Sequence, residues 1–504
     1  MHWILAINLL VSVWIVFFQK KEPRAVWGWL LLLYFVPVIG FLMYIIVCQD
    51  YHRHKVFKDR TIKQRDMAKL VCQEDALLKN DFVKEGDKLE KYQDIIRYNV
   101  KAAGAVYRKE NQVEIYTDGM EKFLSLAKEI EQAKRTVHIE TYILRDDGAF
   151  HILESALKKA VENGAAVRIL YDGMGGIWVR KKNRKRFHDM GFETAVFFPA
   201  LFKCFQIRLN YRNHRKIAVI DGKVAFVGGF NIAKEYIGET EKYGYWRDTH
   251  LKITGESARD LNDRFILDWN CASKQKIEWE EAMEEEEGMQ NEEKKEGMEE
   301  EMQNEERKKN AEKGKAGEEN EELVGMQIIS SGPDTKYPFI RDNFLKIIYK
   351  AKKHLYIQTP YFIPDEAICS AVKMAALSGV EVKLMIPCKP DHICVFWATH
   401  SHLEEMLQAG VQCYCYQNGF LHAKGIMADG EISSYGTANM DTRSFVLNFE
   451  VNAVLYNEKI TNQLEEIFLE DIQKCKEITL YDYEHRSIWM RIREQASRLL
   501  SPLM

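Results

Sequence analysis

"NHRKIAVIDGKVAFVGGFN" (Asn213–Asn231) and "LHAKGIMADGEISSYGTAN" (Leu421–Asn439) are two copies of one pattern. In both, Lys follows His by two residues, Asp by seven, a Gly by fourteen and an Asn by seventeen. Read as a strand, "HRKIAVID" puts His214 and Lys216 on one face and Asp221 on the other, because strand side chains alternate. His422, Lys424 and Asp429 obey the same parity. Each Asp is followed by Gly, a strong hairpin-turn signal. Asp221 and Asp429 are therefore read as the turn and support residues of the motif, and the His and Lys as groups that point together into a site. The pair Gly228-Gly229, and Gly436, allow a ligand close to the backbone, and Asn231 and Asn439 can donate amide hydrogens to it.

The copies sit inside a longer repeat. "AKRTVHIETYIL" (133–144) matches "AKKHLYIQTPYF" (351–362), and "NGAAVRILYD" (163–172) matches "SGVEVKLMIP" (378–387), at offsets of 218 and 215 residues beside 208 for the His motifs. Three landmarks in one order at nearly one offset mean an internal duplication. Around them, amphipathic helical runs such as "MEKFLSLAKEIEQAK" alternate with strand-like runs such as "TVHIETYIL". "FHILESALKKAVENG" is a further helix with Gly164 as its stop. Helices alternating with strands predict an α/β fold of two duplicated lobes, each a mixed sheet flanked by helices and related by a pseudo-twofold axis.

The 504 residues are 46% hydrophobic with a formal net charge of −4. The average hides a split: the stretch from Glu278 to Glu322 holds 20 Glu against 7 Lys and Arg, a net of −13, which leaves +9 on the remainder. A basic body implies an anionic partner, nucleic acid or an acidic lipid surface. The acidic stretch contains "MQNEE" twice and reads as low-complexity linker. The ten cysteines are spread out; even Cys413 and Cys415 have no second Cys/His pair to frame a zinc site, so free thiols in a reducing compartment are expected.

"WILAINLLVSVWIVFF" (3–18) and "AVWGWLLLLYFVPVIGFLMYIIVC" (25–48) carry no charge and read as two membrane spans joined by "QKKEPR". No basic n-region or small-residue cleavage site supports a signal peptide. Arg53, Lys55, Lys58, Arg60, Lys63 and Arg65 follow the second run, so the positive-inside bias puts the long body in the cytoplasm. The organisation expected is a transmembrane helical hairpin (1–50), a juxtamembrane connector (51–110), a first lobe (111–274), the acidic linker (275–325) and a second lobe (326–504).

Two His and two Lys suit phosphoryl transfer. Lysines neutralise the non-bridging oxygens of a phosphodiester. One imidazole attacks phosphorus to give a phosphohistidine; the other protonates the departing alkoxide and then deprotonates the acceptor. In-line attack and departure lie on opposite sides of phosphorus, which accounts for the doubling. A metal site is disfavoured, since a neighbouring ammonium repels a cation.

At these residues the chain resembles the phospholipase D superfamily, whose mark is a doubled His-x-Lys-x4-Asp motif. Within it, "IETYIL", "YWRDTHLKITG", "SSGPD", "IQTPYFIPD", "GTANMDTRSFVLNFEVN" and "SRLLSPLM" are similar to the bacterial cardiolipin synthases with two N-terminal spans. The acidic insert departs from that family, as does Thr437, where Ser is commoner but the hydroxyl is kept. The resemblance implies a multi-pass enzyme of the bacterial cell membrane with a cytoplasmic catalytic body. It would join two phosphatidylglycerol molecules in an anionic bilayer, releasing glycerol, without metal or other cofactor and without nucleic acid. Carried over, His214 and His422 are nucleophile and acid/base in an open order, Lys216 and Lys424 bind phosphate, and Asp221 and Asp429 are counted with them in the catalytic set. Asn231, Asn439, Gly229 and Thr437 form the candidate substrate-binding set. The superfamily places an acid beyond each motif to orient a histidine, and Asp248 and Glu450 are the candidates. A hydrolytic phospholipase D or a membrane-tethered nuclease would use the same motifs, and oligomeric state is left open. "RKKNRKR" (180–186) could hold anionic headgroups, though such a run is as often a solvated face or a nucleic-acid patch; the amphipathic "SIWMRIREQASRLL" could lie in the membrane interface but is expected to pack on the catalytic body.

Overall fold

A computed structural model of the chain describes residues 2–18, 23–47, 67–79, 82, 88–198, 211–277 and 323–500. Most of the acidic linker, and all of residues 51–66, therefore lie outside the described residues.

The duplication is explicit in the two large sheets. In the first lobe the strand order is Asn111–Tyr116, His250–Gly255, Val224–Gly228, Ile217–Ile220, Thr136–Thr141, Ala166–Asp172 and Glu193–Phe197. In the second it is Gly325–Ser331, Asn448–Tyr456, Ile432–Gly436, Gly425–Ala428, His354–Gln358, Glu381–Pro387 and Gln412–Tyr416, with Cys475–Ile478 added at the edge. Both sheets share one order of pairing directions, four antiparallel ladders followed by two parallel ones. The parallel ladders need crossovers, and the helices Gly148–Glu162 and Lys181–Asp189 in the first lobe and Glu366–Leu377 and Ile393–Gln408 in the second supply them. Gly164, at φ 90°, ends the first of these helices in the left-handed region.

Each sheet covers one face with its own helices and turns the other toward its twin. Val219, Val227 and Ile253 of one sheet share a core with Met326, Met427 and Val451 of the other. At roughly 1.5–3 kcal/mol for each fully buried aliphatic side chain, this shared layer binds the lobes into one body. Residues in the expected connector join it on the outer side: Tyr92, Ile95, Ile96 and Val100 are buried with Phe344 and Leu355 of the second lobe.

The N-terminal segment folds differently from the two unbroken spans expected. His2–Phe18 is one helix of 17 residues, but the second apolar run divides into Pro23–Phe35 and Pro37–Val47. Pro37 has no N–H to give to the Leu33 carbonyl four residues back. The buried amide of Asn8, on the first helix, donates to that carbonyl at 2.9 Å and to Pro37 O at 3.0 Å. Among the described residues no helix is long and apolar enough to cross a membrane.

Candidate active site

The motif is a strand only in part. Regular pairing begins at Ile217 and Gly425, just after each Lys. The residues before them cross to the other lobe: Arg212–Asn213 runs parallel to Asn448-Phe449, and Phe420–Leu421 parallel to Trp246-Arg247. His214 N then donates to Phe449 O at 2.9 Å and His422 N to Arg247 O at 2.7 Å. Each catalytic candidate is thus held by backbone of the opposite lobe, next to the residue that carries that lobe's acid.

The acids complete the crossing. His214 Nδ1 lies 3.0 and 3.1 Å from the two carboxylate oxygens of Glu450. His422 Nδ1 lies 2.5 Å from Asp248 Oδ2. Both carboxylates are fully buried. A carboxylate on Nδ1 fixes the tautomer that leaves Nε2 for chemistry. Among the described residues neither Nε2 makes a hydrogen bond within the protein. Lys216 Nζ donates to His214 O at 2.6 Å, and Lys424 Nζ to His422 O. Lys424 Nζ also stands 2.8 Å from His422 Nδ1 and 3.9 Å from Asp248.

The charges of the two motifs act on one another. Burial, then Lys424, push the His422 imidazole down to about 4 against the pull of Asp248, with Lys216 adding to the push. Burial lowers His214 too, with Lys216 and Lys424 both opposing its protonation. Burial lowers Lys216 to about 7 and Lys424 to about 8, and each is drawn back up by both Glu450 and Asp248. Burial would raise both acids, but His214 and Lys216 hold Glu450, and Lys424 and His422 hold Asp248, below the usual carboxylate range.

The remaining candidates take other places. Asp221 and Asp429 stand at the far ends of the strands that follow each His, at φ 51° and 58°. Asp221 accepts from Lys134, Arg135 and Thr136 N, and Asp429 from Lys352, Lys353 and His354 N, all within 2.8–3.0 Å. They tie each hairpin to the neighbouring strand and do not reach the histidines. Gly229 opens space for a side chain, not for a ligand: a Cβ there would sit 1.9 Å from Asp248 Oδ1. Thr437 Oγ1 donates to Glu450 Oε2 at 2.6 Å, so it orients the acid. Asn231 spends its amide inside the lobe, accepting from Ile143 N at 2.9 Å and donating to Tyr236 OH at 2.6 Å. Asn439 donates to Asp441 at 3.3 Å while its buried Oδ1 has no partner among the described residues.

Two buried arginines were not singled out from the sequence. Arg215, between His214 and Lys216, pairs with Asp268 at 2.5 Å and donates to Glu450 O at 3.2 Å. Arg247 reaches Asp471 of the second lobe at 2.7 Å. Their positions beside motif residues were the only sequence signal. Rings frame the pocket: Tyr142 lies edge-on to His214 at 5.1 Å, and Trp246 lies 5.2 Å from His422. Elsewhere, Cys369, His402 and Glu405 converge closely enough to hold a metal. Lys373 and Arg498 already pair with Glu405 at 2.9 and 3.1 Å, which opposes a cation there.

The family model for the cardiolipin synthase, phospholipase D-like domain matches residues 126–269 and 344–472, the two blocks that hold the crossed histidines. The chain belongs to that family. Residues 6–47 match a second model, the phospholipase D-nuclease N-terminal segment. Cardiolipin synthase of Oceanobacillus iheyensis is 40% identical over 499 residues, covering 99% of this chain and 97% of that one. Cardiolipin synthase of Staphylococcus aureus strain Mu50 is 39% identical over 500 residues, covering 99% and 95%. Among solved structures, phosphatidylserine synthase of Haemophilus influenzae superposes with a TM-score of 0.56 at 15% identity, over 78% of this chain and 95% of that one. That likeness bears on the fold, a pair of phospholipase D-like lobes.

Proposed function

We propose that the chain is a phosphatidyltransferase that makes cardiolipin and glycerol from two phosphatidylglycerol molecules. The observation that carries this is the crossed pairing of His214 with Glu450 and of His422 with Asp248 around two lysines, in a chain whose full-length relatives are cardiolipin synthases. The donor's phosphodiester enters between Lys216 and Lys424, which answer the charge of its non-bridging oxygens. Nε2 of one histidine attacks phosphorus, the bond to the glycerol oxygen breaks, and the other imidazolium gives that oxygen its proton. A second phosphatidylglycerol then loses its hydroxyl proton to the same imidazole and attacks phosphorus. The P–N bond breaks and cardiolipin leaves.

Burial first, and the lysines with it, depress both histidines, which suits a neutral nucleophile. An arriving phosphodiester brings a negative charge that raises the imidazoles again, so the acid becomes protonated as substrate binds. A lipid acceptor is favoured over water because the apolar helices at residues 2–47 hold the pocket at the bilayer. We place the chain in the bacterial cell membrane through these helices, with the lobes on the cytoplasmic side where the basic flank points.

The test is to supply the purified chain with labelled phosphatidylglycerol and resolve the products. Cardiolipin with an equal yield of glycerol is expected, together with an acid-labile, base-stable phosphoenzyme in a rapid quench. Phosphatidic acid as the main product would replace transfer by hydrolysis.

A further inference from the structure

The basic run Arg180–Arg186 and the exposed aromatic groups beside it are unused by this chemistry. The run begins the helix Lys181–Asp189. The loop before it is pinned by the buried Asp172 carboxylate, which accepts from Met174 N at 2.7 Å and Gly175 N at 3.4 Å. Gly175 lies against the backbone of Tyr142, where a Cβ would come within 1.9 Å of the carbonyl oxygen. Tyr142 is the ring beside His214. The loop therefore forms the rim of the pocket on the His214 side.

This rim presents two kinds of group that water alone does not explain. Ile177 is exposed and Trp178 is 60% exposed. Arg180, Lys181, Lys182, Arg184 and Lys185 are exposed. Among the described residues, only Arg186 of the run makes an ion pair, with Asp146 and Glu154. Trp178, Arg180 and Lys182 also border an open cavity of about 550 Å³ with Arg145, Asp146 and Asp147, of which Asp146 is paired with Arg186.

The second lobe repeats the arrangement at the equivalent place. After Glu381–Pro387 the chain enters the helix Ile393–Gln408 at Ile393, which is 67% exposed. The C-terminal helix Ile488–Leu500 runs in the same direction alongside it, with Arg493 over the Trp397 ring at 5.7 Å and Arg498 donating to Ser401 O at 3.3 Å. The turn into it holds Tyr483 OH 3.1 Å from His400 Nδ1 and Arg486 2.6 Å from Glu404, and Trp489 in its first turn is 70% exposed. Two topologically equivalent loops, one in each lobe, both end in exposed apolar side chains.

We propose that this rim is a docking surface for an anionic phospholipid bilayer, separate from the N-terminal helices. Trp178 and Ile177 enter the interface on one lobe and Trp489 and Ile393 on the other. The cations of residues 180–185 bind headgroup phosphates. Aromatic rings suit that boundary because one end is apolar and the other polar. Docking at both rims turns the pocket mouth to the lipid surface. The inference rests on the phospholipid reading of the pocket only for the direction it faces.

Hydrogen exchange of the full chain tests it, in nanodiscs of phosphatidylcholine alone and in discs enriched in phosphatidylglycerol. Amides of residues 174–186 and 488–493 should exchange several-fold more slowly in the anionic discs. High salt, and the triple variant K181E/K182E/K185E, should restore the fast rate for residues 174–186. W178S should raise the phosphatidylglycerol fraction needed for half-maximal cardiolipin formation several-fold, and W178F should recover most of it. Equal exchange in both discs overturns the proposal. So does protection of the run by a single-stranded oligonucleotide without protection by anionic discs. Exchange is read without turnover, so protected rims on a chain that forms no cardiolipin would sink the reaction and leave the docking surface standing.

Discussion

The two histidine sites are copies in backbone and differ in what holds their acids. Both imidazoles follow a two-residue parallel bridge to the opposite lobe, and both take a carboxylate on Nδ1. At position fifteen after the His, however, the first copy has Gly229 and the second Thr437. Gly229 leaves room for Asp248, whereas Thr437 hydrogen-bonds Glu450. Between His and Lys the first copy has the buried Arg215 and the second Ala423. The difference teaches that the lobes are not interchangeable halves. Each imports the acid it needs from its twin, so a lobe by itself holds a histidine with nothing to orient it.

The sharpest way to break this comparison is to neutralise one acid at a time. Glu450→Gln should disturb His214, and Asp248→Asn should disturb His422, although each substitution lies in the other lobe. Removing the orienting charge from a catalytic imidazole costs on the order of 10²–10⁴-fold in turnover. Single-turnover kinetics separates formation of the phosphoenzyme from its resolution. If the histidines have distinct duties, the two variants should slow different steps. Turnover within a few-fold of the parent in either variant would break the crossed-pair account. Thr437→Val sharpens the comparison at smaller scale: one lost hydrogen bond to a carboxylate is worth about 1.5–3 kcal/mol, hence on the order of 10–100-fold at most.

Much of this architecture is readable in the chain. The doubled spacing, the repeat of "AKRTVHIETYIL" as "AKKHLYIQTPYF", and the helix–strand alternation correspond to two sheets with one order of pairing. Asp248 and Glu450 are visible as acids beyond each motif. Which histidine each serves is not visible, because that depends on two-residue bridges too short to leave a period in the sequence. Strand parity also overextends the motif: His214 and Lys216 precede the regular strand and are placed by the other lobe's backbone. The glycine at 229 was legible as a close approach, but a glycine does not say whether a ligand or a neighbouring carboxylate approaches. At the N-terminus hydropathy averages over Pro37 and cannot see the break, nor the role of Asn8 in answering the carbonyl the proline leaves over.

The lysines offer a second point of comparison, through pH. Both are pushed down by burial, Lys216 to about 7 and Lys424 to about 8. Each carries its charge below that value and loses it above. kcat/KM, which reports the free enzyme, should therefore fall as pH rises through about 7 to 8. Lys216→Arg keeps its charge across that range, so its alkaline limb should move upward toward the value set by Lys424. The position of the limb is the readout, since the larger guanidinium also lowers the plateau. An alkaline limb that stays in place in Lys216→Arg would remove Lys216 from the titration.

The smallest effect on chemistry is expected where the motif is most regular. Asp221 and Asp429 stand in mirrored turns, each taking three backbone N–H groups of the neighbouring strand. Asn tolerates the same positive φ, so Asp221→Asn and Asp429→Asn remove the charge without straining the turn. Hydrogen bonds to a charged group are worth about 1.5–3 kcal/mol and neutral ones about half. Each variant should lose on the order of 1–3 kcal/mol of stability, read as an earlier thermal or denaturant midpoint. Turnover per folded molecule should stay near the parent's, because these carboxylates lie at the far end of the strand from the imidazoles. A variant that folds with the parent's midpoint and yet fails to turn over would show that the aspartate acts on the pocket. The division between the turn that holds the hairpin and the residues that face phosphorus would then have to be redrawn in both lobes.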